Sequence, residues 1–224
     1  LIYAQKLIEI DRLENEYNYQ LAYAFEISNN LSDAIKYYKK YLDKNGKSKK
    51  QAFNNIGCIY LKKNKPIIAI DFFLQGLNLG EDKIIINNTF KCYVMLRDSV
   101  NSDLYYDKAQ KIDKNYIEFK HTKAKYLILK NQITEAIEFL EKNKDEPRFL
   151  ITLIVLYFNL GKNEEGKKLL IQSKDKMKKD PEFYNFIGLR LLYEGNFKDG
   201  WKFHENRYSK KVDLIYSLRV FYKI

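Results

Sequence analysis

A short phrase of residues recurs along this chain, and recurrence at a fixed period leaves few architectures open. Its clearest copy runs Phe53-Asn54-Asn55-Ile56-Gly57-Cys58-Ile59-Tyr60, then a polar turn Lys63-Asn64-Lys65-Pro66, then Ala69-Ile70-Asp71-Phe72-Phe73. The same grammar appears earlier in Leu21 to Phe25, Asn29-Asn30 and Ala34 to Tyr38. It returns in Ala124, Leu127, Asn131 and Ala136 to Leu140, and again in Leu150, Ile154, Tyr157, Gly161 to Asn163 and Gly166. The last copy is Tyr184, Ile187-Gly188, Leu191, Gly195-Asn196 and Gly200-Trp201. The small residue after each turn serves as a ruler. Ala34, Ala69, Ala136, Gly166 and Gly200 are separated by 35, 67, 30 and 34 residues. Two periods span the long gap, so a degenerate copy is expected inside it, where Tyr106, Ala109 and Ile112 keep helical spacing.

Each copy holds two amphipathic stretches joined by a short turn of Asn, Gly or Lys, which predicts a helix–turn–helix unit. Nine Gly and three Pro in 224 residues are too few turn-formers for a β-sandwich or a doubly wound α/β fold. Six repeats are placed at 15–48, 50–82, 83–116, 117–146, 147–180 and 181–213. Residues 1–14 are expected to be the second helix of a truncated preceding repeat. Residues 214–224 are expected to be a capping helix or the start of a linker, with Val212, Ile215, Leu218 and Phe221 three apart. The third repeat breaks the grammar, with Phe90 at the small position and Ser102 where Ala is expected. It reads as a weak point or a one-residue register slip.

The period and the small residues resemble the tetratricopeptide repeat (TPR). The second copy matches the family's first helix with Phe53, Gly57 and Tyr60, and its second helix with Ala69, Phe73 and Gly76. The sixth copy matches with Tyr184, Gly188, Leu191 and Gly200, and departs at His204 and Arg207. The resemblance implies an all-α, right-handed superhelical solenoid of about six repeats. In such an array each helix pair leaves an apolar face that only its neighbour covers, so stability is nearly a sum of neighbour terms.

Chemistry is sparse. His121 and His204 are the only histidines, and no Cys or paired carboxylate lies at ligand spacing from either, so no metal site is expected. There is no Gly-rich phosphate loop and no nucleophile elbow, and no cofactor is implied. Glu164-Glu165 reads as a helix start, where carboxylates favour the dipole. Cys58 and Cys92 are too few for a disulfide framework and read as small core residues of a reducing, cytoplasmic setting. No run of apolar residues is long enough to span a membrane. The net charge is +11, but only 6 of the 40 basic residues are Arg. Nucleic-acid readers rely on Arg for bidentate and stacking contacts, so nucleic acid is not the expected partner. The densest lysine runs, Lys36 to Lys50 and Lys167 to Lys179, read as solvated outer faces.

Two features stand out. The first is Asn on the first helix of several repeats: Asn54, Asn55, Asn87, Asn88 and Asn185. An amide both donates and accepts, which suits it to hold a peptide backbone whatever its sequence. This ladder resembles the groove of O-linked N-acetylglucosamine transferases, and the resemblance implies that Asn54, Asn87 and Lys91 project into a concave groove. Tyr19, Asn55, Asn88, His121 and Lys125 would line it beside them. The second feature is Gly195-Asn196-Phe197-Lys198-Asp199-Gly200-Trp201, followed by His204-Glu205-Asn206-Arg207. It resembles the last repeat of bacterial proteins in which TPR repeats precede a nucleotide-sugar glycosyltransferase domain. Trp201 is expected to be buried, and Glu205 to pair with Arg207 or a neighbour. The function that follows is a non-catalytic module binding a protein or an extended peptide, with acidic character an open option. The alternative is the substrate-recruiting region of such a glycosyltransferase.

Overall fold

The structure, a computed structural model, describes residues 14–44, 48–173, 181–193, 195 and 197–205. The expectations for residues 1–13, 174–180 and 206–224, including Arg207 and the helix from Val212, lie outside the described residues. Among the described residues the chain is helical, with no strand. The helices are α1 (Glu14–Ile27), α2 (Leu31–Asp43), α3 (Lys49–Lys62), α4 (Pro66–Leu77), α5 (Lys83–Leu96) and α6 (Ser99–Asp113). They continue as α7 (Ile117–Leu129), α8 (Ile133–Asn143), α9 (Pro147–Asn159), α10 (Asn163–Ser173), α11 (Pro181–Tyr193) and α12 (Phe197–Glu205). Odd-numbered helices are termed A and even-numbered ones B. The chain divides into two compact units, Leu1–Ala136 and Ile137–Ile224.

The sequence ruler has a backbone cause. Between each A helix and its B helix one residue takes the left-handed conformation: Asn29, Asn64, Arg97, Asn131, Gly161 and Gly195. Asn and Gly tolerate that region best, which explains five of the six choices and leaves Arg97 as the exception. In the first five turns the next residue's N–H reaches back to the A helix, as Lys65 does to the Tyr60 carbonyl at 2.9 Å and Asp98 to Tyr93 at 3.1 Å. That closes the helix with the carbonyl-satisfying turn expected at such ends. The same residue's carbonyl then accepts from the small residue of the B helix, as in Ala34 to Asn30 and Ala69 to Lys65. Turn and B-helix start are thus one rigid piece, and the small residue always follows the left-handed one at a fixed distance.

In the first unit, Leu21, Ala22, Phe25, Ala34, Ile35, Tyr38, Tyr41, Ala52, Ile56 and Ile59 form one apolar cluster across α1, α2 and α3. A second joins Leu61, Ala69, Ile70, Phe73, Ile85 and Cys92 across α3, α4 and α5. Gly57 shows why the small position matters. A Cβ there would stand 2.4 Å from Phe73 Cε1, so the Phe73 ring occupies the space a side chain would need. In the second unit, Leu150, Ile154, Phe158, Leu170 and Ile187 make the equivalent core. Gly188 lets α11 meet α12 backbone to backbone, since its Cβ would lie 2.6 Å from the His204 nitrogen.

The third helix pair is neither a weak point nor a slipped register. The buried residues Ala52, Ile56, Gly57, Ile59 and Leu61 of α3 recur in α5 as Ile85, Thr89, Phe90, Cys92 and Val94, a constant offset that keeps Phe90 in the small position. Phe90 is 0% exposed. It sits edge-on to Tyr106 and Tyr126 and beside Phe119, while Tyr106 stacks on Tyr126 at 4.7 Å. The large side chain is accommodated because Tyr106, unlike Phe73 one pair earlier, turns to stack on α7. α5 and α7 also meet over a longer stretch than α3 and α5 do.

Candidate functional site

The polar residues on the A helices of the first unit form a connected row, built from helical periodicity. Asn54, Cys58 and Lys62 are four residues apart on α3 and share one stripe. On α5 Ile84, Asn88, Lys91 and Met95 share a stripe by similar spacing, as do Tyr19, Tyr23 and Glu26 on α1. Asn88 Nδ2 donates to Asn54 Oδ1 at 3.0 Å and to Cys58 Sγ at 3.5 Å. The Cys58 thiol points back to Asn54 Oδ1 at 3.9 Å. With these bonds made, Asn54 Nδ2 and Asn88 Oδ1 have no partner among the described residues. Two adjacent helices therefore present one amide donor and one amide acceptor side by side. A passing peptide unit offers the complementary pair.

Around this centre the charges are ordered. Lys62 pairs with Glu26 at 2.8 Å, and Glu26 also accepts from the Tyr38 hydroxyl at 3.2 Å. Burial pushes the Cys58 thiol up to about 11, with the Glu26 carboxylate adding to the shift and the Lys62 and Lys91 ammoniums opposing it. Burial likewise pushes Cys92 up to about 12. Both thiols are protonated at neutral pH, so neither is a nucleophile there. The exposed apolar groups Tyr23, Ile84 and Met95 flank the row.

Several expected groove residues are used internally. Asn55 Nδ2 donates to the Tyr38 hydroxyl at 2.9 Å and to the Tyr19 hydroxyl at 3.2 Å. Tyr19 is half-buried and edge-on to Tyr38 and Tyr41. Burial raises the pKa of both Tyr19 and Tyr38, so these hydroxyls stay protonated structural groups. Asn87 is the clearest correction: it does not project outward but is 3% exposed, and its Oδ1 has no hydrogen-bond partner. The equivalent Asn54 on α3 is only half-buried, in keeping with the more extensive contact of α5 with α7 than of α3 with α5. Lys91 and Lys125 are exposed, and His121 is half-buried. In the second unit Asn185 is buried as well, with an unpaired Oδ1.

Trp201 also departs from expectation, being 55% exposed. Gly200 takes the position facing α11, where its Cβ would meet Leu192 at 2.7 Å. The next residue on a helix lies about 100° round, which turns Trp201 away, edge-on to His204 at 5.7 Å. Glu26, Tyr38, Cys58 and Lys62 escaped the sequence argument although three of them lie one or two turns from expected residues. The Asn repetition drew attention to like residues, whereas the row is made of unlike ones.

No protein-family model matches the chain, and no curated protein matches it. Solved structures do. A tetratricopeptide repeat protein from Parabacteroides merdae aligns with TM-score 0.82 at 13% identity, covering 97% of this chain and 88% of its own. PilW, described as a type IV pilus biogenesis factor, aligns with TM-score 0.66 at 16% identity over 92% of this chain and 96% of its own. YrrB, described as a TPR protein with an unusual peptide-binding site, aligns with TM-score 0.56 at 20% identity over 79% of this chain and 93% of its own. At such identities the likeness is one of architecture: the chain has the all-α helix-pair fold of tetratricopeptide repeat proteins.

Proposed function

We propose that the chain is a protein-interaction module whose A-helix face, across α1, α3 and α5, holds an extended segment of a partner protein. The observation that carries this is the Asn54–Asn88 pair, with an unused donor and an unused acceptor beside each other on neighbouring helices. Such a pair grips a backbone without reading its side chains. Tyr23, Ile84 and Met95 supply apolar contact, and Lys91, with Lys125 on the next A helix α7, adds attraction for acidic side chains that salt weakens. The fold is in keeping with this role, and the peptide-binding site in the description of YrrB is a precedent within the architecture. No catalytic step is assigned to any residue of the chain.

The test begins with peptides selected against the full chain from a random displayed library. Each lost hydrogen bond costs about 0.5–1.5 kcal/mol, so Asn54→Ala with Asn88→Ala should weaken a selected peptide by about tenfold. Affinity by calorimetry, with a circular dichroism melt to establish that the variant is folded, gives the answer. Equal affinity in the folded double variant rejects the amide pair as the grip. The glycosyltransferase-associated reading rests on the Gly195 to Arg207 string alone. Within it Gly195 serves a left-handed turn and Gly200 a close helix contact, so both glycines have structural reasons. The length of the intact gene product separates that reading from a free-standing module.

A further inference from the structure

The outer side of α2 and α4 has an arrangement that the A-helix row does not use. Lys36, Lys39 and Lys40 are exposed and lie within little more than one turn of α2. None of them forms an ion pair among the described residues; each instead stands over an aromatic ring. Lys40 Nζ is 4.8 Å and Lys36 Nζ 5.9 Å from the Tyr37 ring centroid, and Lys39 Nζ is 5.8 Å from that of Phe72 on α4. The rings are themselves anchored, Tyr37 stacked on Phe25 and Phe72 on Tyr60. Ile68, one turn before Phe72 on α4, is exposed at 37%.

We infer that this face is a second binding surface, and that its occupant is an acidic protein segment with interspersed apolar side chains. Three like charges so close on one helix repel one another, and carboxylates brought in from outside relieve that repulsion. The rings hold the lysine stems in place, so less side-chain freedom is lost on binding than for ordinary surface lysines. Single-stranded nucleic acid is disfavoured by the same geometry. Each ring already has another ring stacked on it and an ammonium over it, which leaves little aromatic face for a base. Between Arg12 and Arg97 the chain has no arginine, so bidentate recognition of phosphate is missing as well. The inference is independent of the A-helix proposal, because it uses no residue of the Asn54–Asn88 row, and Phe25 of α1 and Tyr60 of α3 serve only to back the rings.

The experiment measures binding of the full chain to three probes: the copolymer poly(Glu,Tyr), poly(U) RNA, and phosphatidylcholine vesicles containing phosphatidylserine. The copolymer should bind most tightly. Lys36→Gln with Lys39→Gln and Lys40→Gln should weaken it by about tenfold, from three modest ion pairs acting together. A second triple variant, Lys111→Gln with Lys142→Gln and Lys168→Gln, removes the same charge from exposed positions elsewhere and should change affinity by less than about twofold. Circular dichroism checks that both variants are folded. Equal losses in the two variants would reduce the effect to net charge and overturn the proposal. So would unchanged copolymer affinity in the first variant, or tighter binding of RNA or vesicles that depends on the same three lysines. The A-helix proposal stands or falls separately, on Asn54 and Asn88.

Discussion

Replacing Phe90 with Ala should destabilise the first unit by about 3–5 kcal/mol, the usual loss for truncating a fully buried aromatic residue. The sign is what makes the substitution informative. Repeat grammar puts a small residue at this position, so Ala would restore the pattern and, on pattern alone, should stabilise. The structure argues the reverse. Phe90 is the hub of a cluster with Tyr106, Phe119 and Tyr126, three rings that come from α6 and α7. Removing it opens a cavity that the Tyr106–Tyr126 stack has no freedom to fill, since Tyr126 is also held by its hydrogen bond to Asp103 at 2.6 Å. Urea unfolding of the full chain followed by far-ultraviolet circular dichroism reads the effect. A midpoint at or above that of the parent would mean that Phe90 is tolerated, not used.

Gly57→Leu is the mirror case and should cost about 3 kcal/mol through overpacking. Glycine inside a helix lowers its stability relative to alanine, so Gly57 needs a packing reason. That reason is the Phe73 ring, three of whose atoms would lie within 2.8 Å of an added Cβ, so that the whole ring would have to move. Gly76→Ala provides the contrast. Its Cβ would meet the tip of Ile85 at 3.1 Å, a flexible end that can move a few tenths of an ångström. That change should stay within about 1 kcal/mol, because the gain in helix propensity offsets the shift. Similar midpoints for Gly57→Leu and Gly76→Ala would contradict the close contact between α3 and α4.

The two substitutions also mark what could and could not be read from residues alone. Small residues and Asn or Gly turns were legible because one rigid backbone piece produces both, and that piece accepts few residue types. The helical fold followed from them. Phe90 was legible only as a deviation. Whether a large residue in a small slot weakens or rebuilds a contact depends on where its neighbours turn, and Tyr106 turns toward α7. Asn87 misled for the same reason, since equivalent register on α3 and α5 did not mean equal exposure once α5 met α7. The amide pair was half legible. Periodicity sets Asn54 opposite Asn87, yet the hydrogen bond runs on the diagonal to Asn88, 34 residues away. Trp201 is exposed because its neighbour Gly200 takes the buried direction.

The central claim is that a partner segment lies along the A-helix row of the first unit. Amide chemical-shift mapping of the isotope-labelled full chain, titrated with a library-selected peptide, tests it most directly. The account predicts that the largest shifts fall on Asn54, Cys58, Lys62, Asn88 and Lys91, with side-chain amide signals of Asn54 and Asn88 moving together. Shifts confined to α2 and α4, with those side-chain amides unmoved, would contradict it.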